Sequence, residues 1–116
     1  MSIQRLRTEP RLSEIVIHNG TVYLAGQLDE NHSEGIEAQT KATLDSIDAF
    51  LAEAGTDKTR ILSITIFLKN IDDREGLNKV WDAWVPAGHS PARACVEAKL
   101  YSPDVLVEMT VIAALP

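Results

Sequence analysis

The sequence predicts an α+β sandwich in which two helices cover one face of a mixed sheet, and three observations carry that reading. Two short β-prone runs are joined by Asn19-Gly20. Two longer segments repeat apolar residues at helical spacing. Short runs rich in β-branched residues separate and follow them, which sets the order β-β-α-β-α-β-β.

Ser13 to His18 and Thr21 to Gly26 form the first pair. Asn-Gly between such runs is a hairpin signal, because both positions accept positive φ. Asp29 to Gly35 is polar and reads as a loop. Ser33 is placed to cap the first helix, where Ile36, Thr40, Leu44, Ile47 and Leu51 share a face. Gly55 ends it. Ile61 to Leu68 is too short and too β-branched for a helix. Its face Leu62, Ile64, Ile66, Leu68 is wholly apolar, while Ser63 and Thr65 lie opposite with Ile61 and Phe67. Asp72 or Asp73 is placed to cap a second helix with the stripe Leu77, Val80, Trp81 and Trp84. Ala87-Gly88-His89-Ser90-Pro91 breaks it. Two strands follow, Arg93 to Lys99 and Val105 to Ala114, on either side of the turn Tyr101-Ser102-Pro103-Asp104.

Composition narrows the function. The 116 residues fit one domain, 1–116, without linker or repeat, and 45% hydrophobic content suffices for a core. The net charge of −6 argues against nucleic-acid partners, which require a cationic surface. No apolar run has the length of a membrane span, and the first residues lack a signal-peptide layout, so a cytoplasmic protein is expected. The single Cys95 cannot form an internal disulfide. No CxxC or His-x-x-His pair suggests a metal.

The chemistry concentrates in Ser90-Pro91-Ala92-Arg93-Ala94-Cys95-Val96-Glu97. Pro91 marks the start of a strand. Arg93, Cys95 and Glu97 then share one face, and Ala92, Ala94 and Val96 the other. A guanidinium between alanines either lies in solvent or awaits an anion, and its planar fork matches a carboxylate. In the last strand Glu108 is a carboxylate among apolar neighbours, which demands a partner or a polar site. If the last two strands pair, Glu108 lies on the Arg93 face. Two readings stand: a structural ion pair or a charge at a solvated edge, or else an arginine that anchors a substrate carboxylate with an acid that handles water or a proton. The helix-free face would carry Phe67, Tyr23 and Ile112 beside Ser63, Thr65, Arg93, Cys95 and Glu108. Burial against further copies of the chain is the simpler reading of such a face, with ligand sites at the interfaces.

The chain resembles the Rid/YjgF family of reactive-intermediate deaminases, in its short branch with a Trp-Asp-Ala-Trp-Val helix motif. The resemblance rests on Ala25-Gly26-Gln27, Ile66-Phe67-Leu68, Pro91 to Glu97, Val107-Glu108-Met109-Thr110-Val111-Ile112-Ala113, and Trp81-Asp82-Ala83-Trp84-Val85 with Gly88-His89. It implies a chorismate-mutase-like fold assembled as a homotrimer, with three intersubunit clefts. It implies hydrolysis of 2-imino and 2-enamino acids to 2-keto acids and ammonia, without metal or cofactor. On this pattern Arg93 binds the substrate carboxylate, and the backbone of Cys95 contributes hydrogen bonds. Glu108 positions the attacking water, and Gly26 lets backbone approach the ligand. One departure bears on substrate preference: the aromatic residue near the first strand of familiar members falls at Leu12 here.

Other residues have plainer readings. Cys95 is a small buried residue without reactivity. Trp81 and Trp84 belong to the core, and His18 and His32 to turns and loops. His89 in its Gly-Ser-Pro loop and Asn78 beside the apolar stripe are secondary cleft candidates. Tyr101 is a candidate for packing across an interface. Glu97 is either a second acid or a partner for Lys99 or another base. The competing function is a non-catalytic module that binds or senses a small carboxylate such as a keto acid. Chorismate mutase, by fold analogy alone, ranks last.

Overall fold

The computed structural model describes residues 2–116. The elements are β1 (Gln4–Thr8), β2 (Ser13–His18), β3 (Thr21–Gln27), α1 (Ile36–Ala54), β4 (Ile61–Leu68), α2 (Arg74–Trp84), β5 (Ala92–Glu97) and β6 (Val107–Ala114). Single 3-10 turns, Lys58–Arg60 and Ile71–Asp73, lead into β4 and α2. The six strands form one mixed sheet in the order β1-β2-β3-β6-β4-β5. Only β4 and β5 run parallel; they are joined through α2, as a parallel pair requires. No helix among the described residues is long and apolar enough to cross a membrane.

The α+β architecture stands as expected, with one strand more at its start. β1 pairs antiparallel with β2, and only Leu6 of its five residues is even half-buried. The hairpin is as read: Asn19 and Gly20 take φ of 53° and 74° between β2 and β3. Gly55 closes α1 by donating its N–H to Ala52. Ser33 does not cap that helix. Gly35 holds the N-cap position without a side-chain bond, and the N–H of Ser33 instead donates to the Asp29 carboxylate at 2.9 Å. Neither Asp72 nor Asp73 caps α2 through its side chain; Asn70 caps the turn before it, accepting from the N–H of Asp72.

Leu44, Ile47 and Leu51 of α1 and Leu77 and Trp81 of α2 bury against Ile15, Val22, Ile64, Ile66, Met109 and Val111 of the sheet. Each such aliphatic side chain contributes about 1.5–3 kcal/mol on burial. In β4 Ile64, Ile66 and Leu68 face the core as expected, but Ile61 takes the place of Leu62 there. A register irregularity against β6 between Ile61 and Ser63 turns Ile61 inward and leaves Leu62 52% exposed. The helix-free face carries Tyr23, Phe67, Ile112 and Val96, with Tyr23, Ile112 and Val96 all exposed.

One buried polar residue ties two loops to α1. The amide of Gln39 donates to Ser33 O at 2.9 Å and Asp104 O at 2.8 Å, and its oxygen accepts from the N–H of Leu106 at 2.8 Å. Replacing Gln39 with leucine keeps the volume and strands three backbone groups. Each buried unsatisfied group costs about 1–3 kcal/mol. The expected result is a loss of about 3 kcal/mol in chemical denaturation; a midpoint equal to wild type would show that the loops do not depend on it.

Candidate active site

A cavity of about 450 Å³ opens at one end of the sheet, and Leu12, Gly26 and Glu108 all line it. Leu12 comes from the β1–β2 turn, Gly26 from the end of β3 and Glu108 from the start of β6. The pairing of β3 with β6 shifts register between Leu24 and Gln27, so Gly26 sits in an irregular stretch of strand. Bulges of this kind re-aim side chains and backbone beside functional sites. Gln27 holds it in place: its side-chain amide donates to Ala25 O at 3.0 Å, and its oxygen accepts from the Ser46 hydroxyl at 2.7 Å.

Glu108 stands on the helix-free face beside Phe67, half-buried, and no hydrogen bond or ion pair to it is formed among the described residues. Burial pushes its carboxyl above the ordinary glutamate value. Its carboxylate lies over Gly26, in the space that a Cβ at that position would fill. Sterics, not backbone φ, therefore favour glycine here while Glu108 keeps this position. Gly26→Ala is expected to displace the Glu108 carboxylate. A Glu108 carboxyl that titrates as in wild type by NMR would contradict that contact.

Arg93 lies elsewhere. β5 and β6 do not pair; β4 runs between them. Arg93 is in register with Ile64, which faces the helices, whereas Glu108 is in register with Phe67 on the opposite face. Within one chain the two residues are thus two strands and three residues apart, about 14 Å between Cα atoms, on opposite sides of the sheet. The expectation of a shared face fails because it assumed that strands consecutive in sequence were neighbours. The Arg93 guanidinium lies 5.0 Å from the centroid of the Trp81 ring, a cation–π contact, and is exposed with no carboxylate against it among the described residues.

Cys95 shares the helix-side face of β5 and packs half-buried against the core. Burial raises its thiol and outweighs the opposing pull of Arg93, which leaves the sulfur protonated and inert. Since β5 is an edge strand, its outward backbone groups lack a strand partner in this chain. Glu97 is not a free acid: its carboxylate accepts from the N–H of Ile71 at 3.0 Å and secures the turn before α2.

Trp81 is 6% exposed, and the Trp84 indole donates to Asp48, so both tryptophans are structural in the first place. His18 bonds within the hairpin turn, His89 bonds to Ala87 in its own loop, and Asn78 is half-buried on α2; none lines the large cavity. Tyr101 does line it, and shares a hydrogen bond of 2.9 Å with His32. That pair escaped the sequence because a contact between loops leaves no periodic signal; Gln39 was not singled out either, although it sits on the buried face of α1.

The sequence model of the family described as Endoribonuclease L-PSP matches residues 2–115. The chain belongs to the YjgF/Rid/RutC family. It is 44% identical over 115 residues to RutC family protein YoaB of Escherichia coli K12, covering 99% of this chain and 100% of that relative. A crystal structure of a YjgF-family protein from Neisseria meningitidis superposes with a TM-score of 0.97 at 45% identity, across 100% of this chain and 97% of the other. A Rid-family protein of unknown function from Yersinia pestis aligns at a TM-score of 0.89 and 30% identity, across 98% and 100% of the chains. As a YjgF/Rid/RutC member the chain therefore carries its family's fold from end to end.

Proposed function

We propose that this YjgF/Rid/RutC chain hydrolyses 2-imino and 2-enamino acids to 2-keto acids and ammonia, at clefts between identical subunits in the cytoplasm. The observation that carries the reading is the pair of uncompensated charges. Arg93 is braced on an indole without an anion, and Glu108 is half-buried without a cation. The cavity that holds Glu108 is lined also by Glu9, Glu14 and Glu30 and by no lysine or arginine. Such a cavity repels a carboxylate substrate unless a cation enters from outside. A second copy whose β5 edge meets the cavity brings Arg93 to it. The exposed apolar face with Tyr23, Leu62, Val96 and Ile112 supports assembly of copies, as a homotrimer in the family pattern.

In this arrangement the Arg93 fork binds the substrate carboxylate through two hydrogen bonds, and backbone at Cys95 and Gly26 lines the site. Glu108 accepts a proton from water as its oxygen attacks the iminium carbon. The proton passes to nitrogen, the carbinolamine collapses as its hydroxyl proton returns to the Glu108 carboxylate, and ammonia leaves with the C–N bond electrons while C=O forms; Glu108 then releases that proton to solvent. An enamine first takes a proton on carbon to reach the iminium. A raised carboxyl suits this work, because a general base acts best with a pKa near the working pH. The four carboxylates of the cavity and the net charge of −6 speak against RNA as substrate.

The test generates 2-iminopropanoate or 2-iminobutanoate with an amino-acid oxidase and traps the surviving imine with semicarbazide. The chain is expected to suppress semicarbazone formation catalytically. No suppression across several imines, with folded oligomeric protein, would refute the reading.

A further inference from the structure

Tyr101 is the feature that the hydrolytic scheme leaves unused. It is 70% exposed, yet it is not a loose surface residue. Its hydroxyl shares the 2.9 Å hydrogen bond with His32, and the two rings meet edge to face at 6.0 Å. His32 stands at φ 49°, in the left-handed region that non-glycine residues seldom occupy. The Asp29 carboxylate holds it there, accepting from the N–H groups of Asn31 and Ser33 on either side. Burial alone would raise that carboxyl, but these bonds outweigh it and keep it low, so the brace is charged at neutral pH. Gln39 clamps both loops, through Ser33 on the His32 side and Asp104 and Leu106 on the Tyr101 side. Backbone held in a sparsely populated region by an overdetermined network is characteristic of functional loops.

This brace holds Tyr101 in the lining of a cavity whose apolar residues also include Leu12, Leu28 and Phe50. Glu9, Glu14 and Glu30 on the same lining repel the substrate carboxylate, which therefore lies toward Arg93 of a neighbouring copy. The part of the substrate left to meet the apolar lining is its side chain. A volume of about 450 Å³ falls in the range of pockets that enclose whole small ligands, and a methyl group would leave most of it to water.

We infer that Tyr101, braced by His32, is the wall against which the substrate's side chain packs, and that it selects 2-imino acids with side chains longer than an ethyl group. This rests on the hydrolytic reading of the same cavity. Tyr101 is a specificity residue in this account, and His32 is a positioning residue that acts through it.

The experiment compares kcat/KM for leucine-derived and alanine-derived imines in wild type, Tyr101→Ala, Tyr101→Phe and His32→Ala. Wild type is expected to favour the leucine-derived imine. Tyr101→Ala is expected to reduce that preference about tenfold or more, the scale on which apolar contacts discriminate substrates. Tyr101→Phe should keep most of the preference and His32→Ala should lose part of it. Equal losses on both imines in Tyr101→Ala, or an unaltered ratio, would overturn the inference and leave the hydrolytic reading standing. If wild type hydrolyses no imine, that reading fails by itself. Calorimetric binding of 4-methyl-2-oxopentanoate against pyruvate then decides the inference: selective weakening of the larger keto acid in Tyr101→Ala upholds it, and no selective weakening overturns it.

Discussion

Arg93→Ala is expected to abolish accelerated imine hydrolysis while leaving fold and oligomer intact. The guanidinium is exposed, contacts the face of Trp81 and makes no ion pair among the described residues, so little in the isolated chain depends on it. Its removal takes away a bidentate, charge-assisted pair to the substrate. Truncating one partner of such a pair at an interface costs about 2–5 kcal/mol. That corresponds to a fall in kcat/KM of about 30-fold to several thousand-fold. Steady-state assays with trapped imine, alongside size-exclusion and circular dichroism, check it. Unchanged activity would remove Arg93 from the site.

Glu108→Gln should act differently. Glutamine keeps the shape that Gly26 accommodates and loses the base, so keto-acid binding is expected to persist while kcat falls about 10²- to 10⁴-fold. A binding or sensing module would have no turnover to lose. Wild-type activity should also decline as pH falls through the raised Glu108 value, since the acting form is the carboxylate. Its acid limb then lies at higher pH than an ordinary glutamate would set. Stability runs the opposite way. Between the ordinary and the raised value the folded chain holds a proton that the unfolded chain has released, so stability drops as pH rises through that window. The glutamine variant escapes this loss. It should be more stable than wild type at neutral pH and gain nothing below the ordinary glutamate value; denaturation across pH reads both arms.

Local chemistry was legible in the sequence, and long-range placement was not. Asn19-Gly20, the stripe from Ile36 to Leu51 and the Gly55 terminus act over a few residues, and each occurs where the pattern puts it. β1 escaped because a strand with only Leu6 turned inward shows no alternation worth reading. Leu62 misled because a register irregularity at the start of β4 turns Ile61 inward in its place, while Ile64, Ile66 and Leu68 face the core as the alternation puts them. Alternation put Arg93, Cys95 and Glu97 together on one face of β5, but alternation cannot say which face. The α2 crossover decided it, by setting β5 beyond β4 and turning Arg93 toward Trp81.

The candidate site shows the same division. Gly26, Leu12 and Glu108 converge, although they come from three separate segments. Gln39 carried a readable clue, a polar residue at a position that the apolar stripe buries. The contact between His32 and Tyr101 spans 69 residues and left none. The separation of Arg93 from Glu108 turns a question about one chain into a question about assembly.

Mixing Arg93→Ala with Glu108→Gln subunits, under distinct affinity tags, tests the account most directly. Each variant alone is expected to be inactive toward imines. If every cleft draws Arg93 from one subunit and Glu108 from the next, random mixed rings contain clefts with both groups intact. Doubly tagged trimers, each with one intact cleft of three, should then recover about one third of wild-type activity. No recovery in verified mixed oligomers would contradict a site built from two copies.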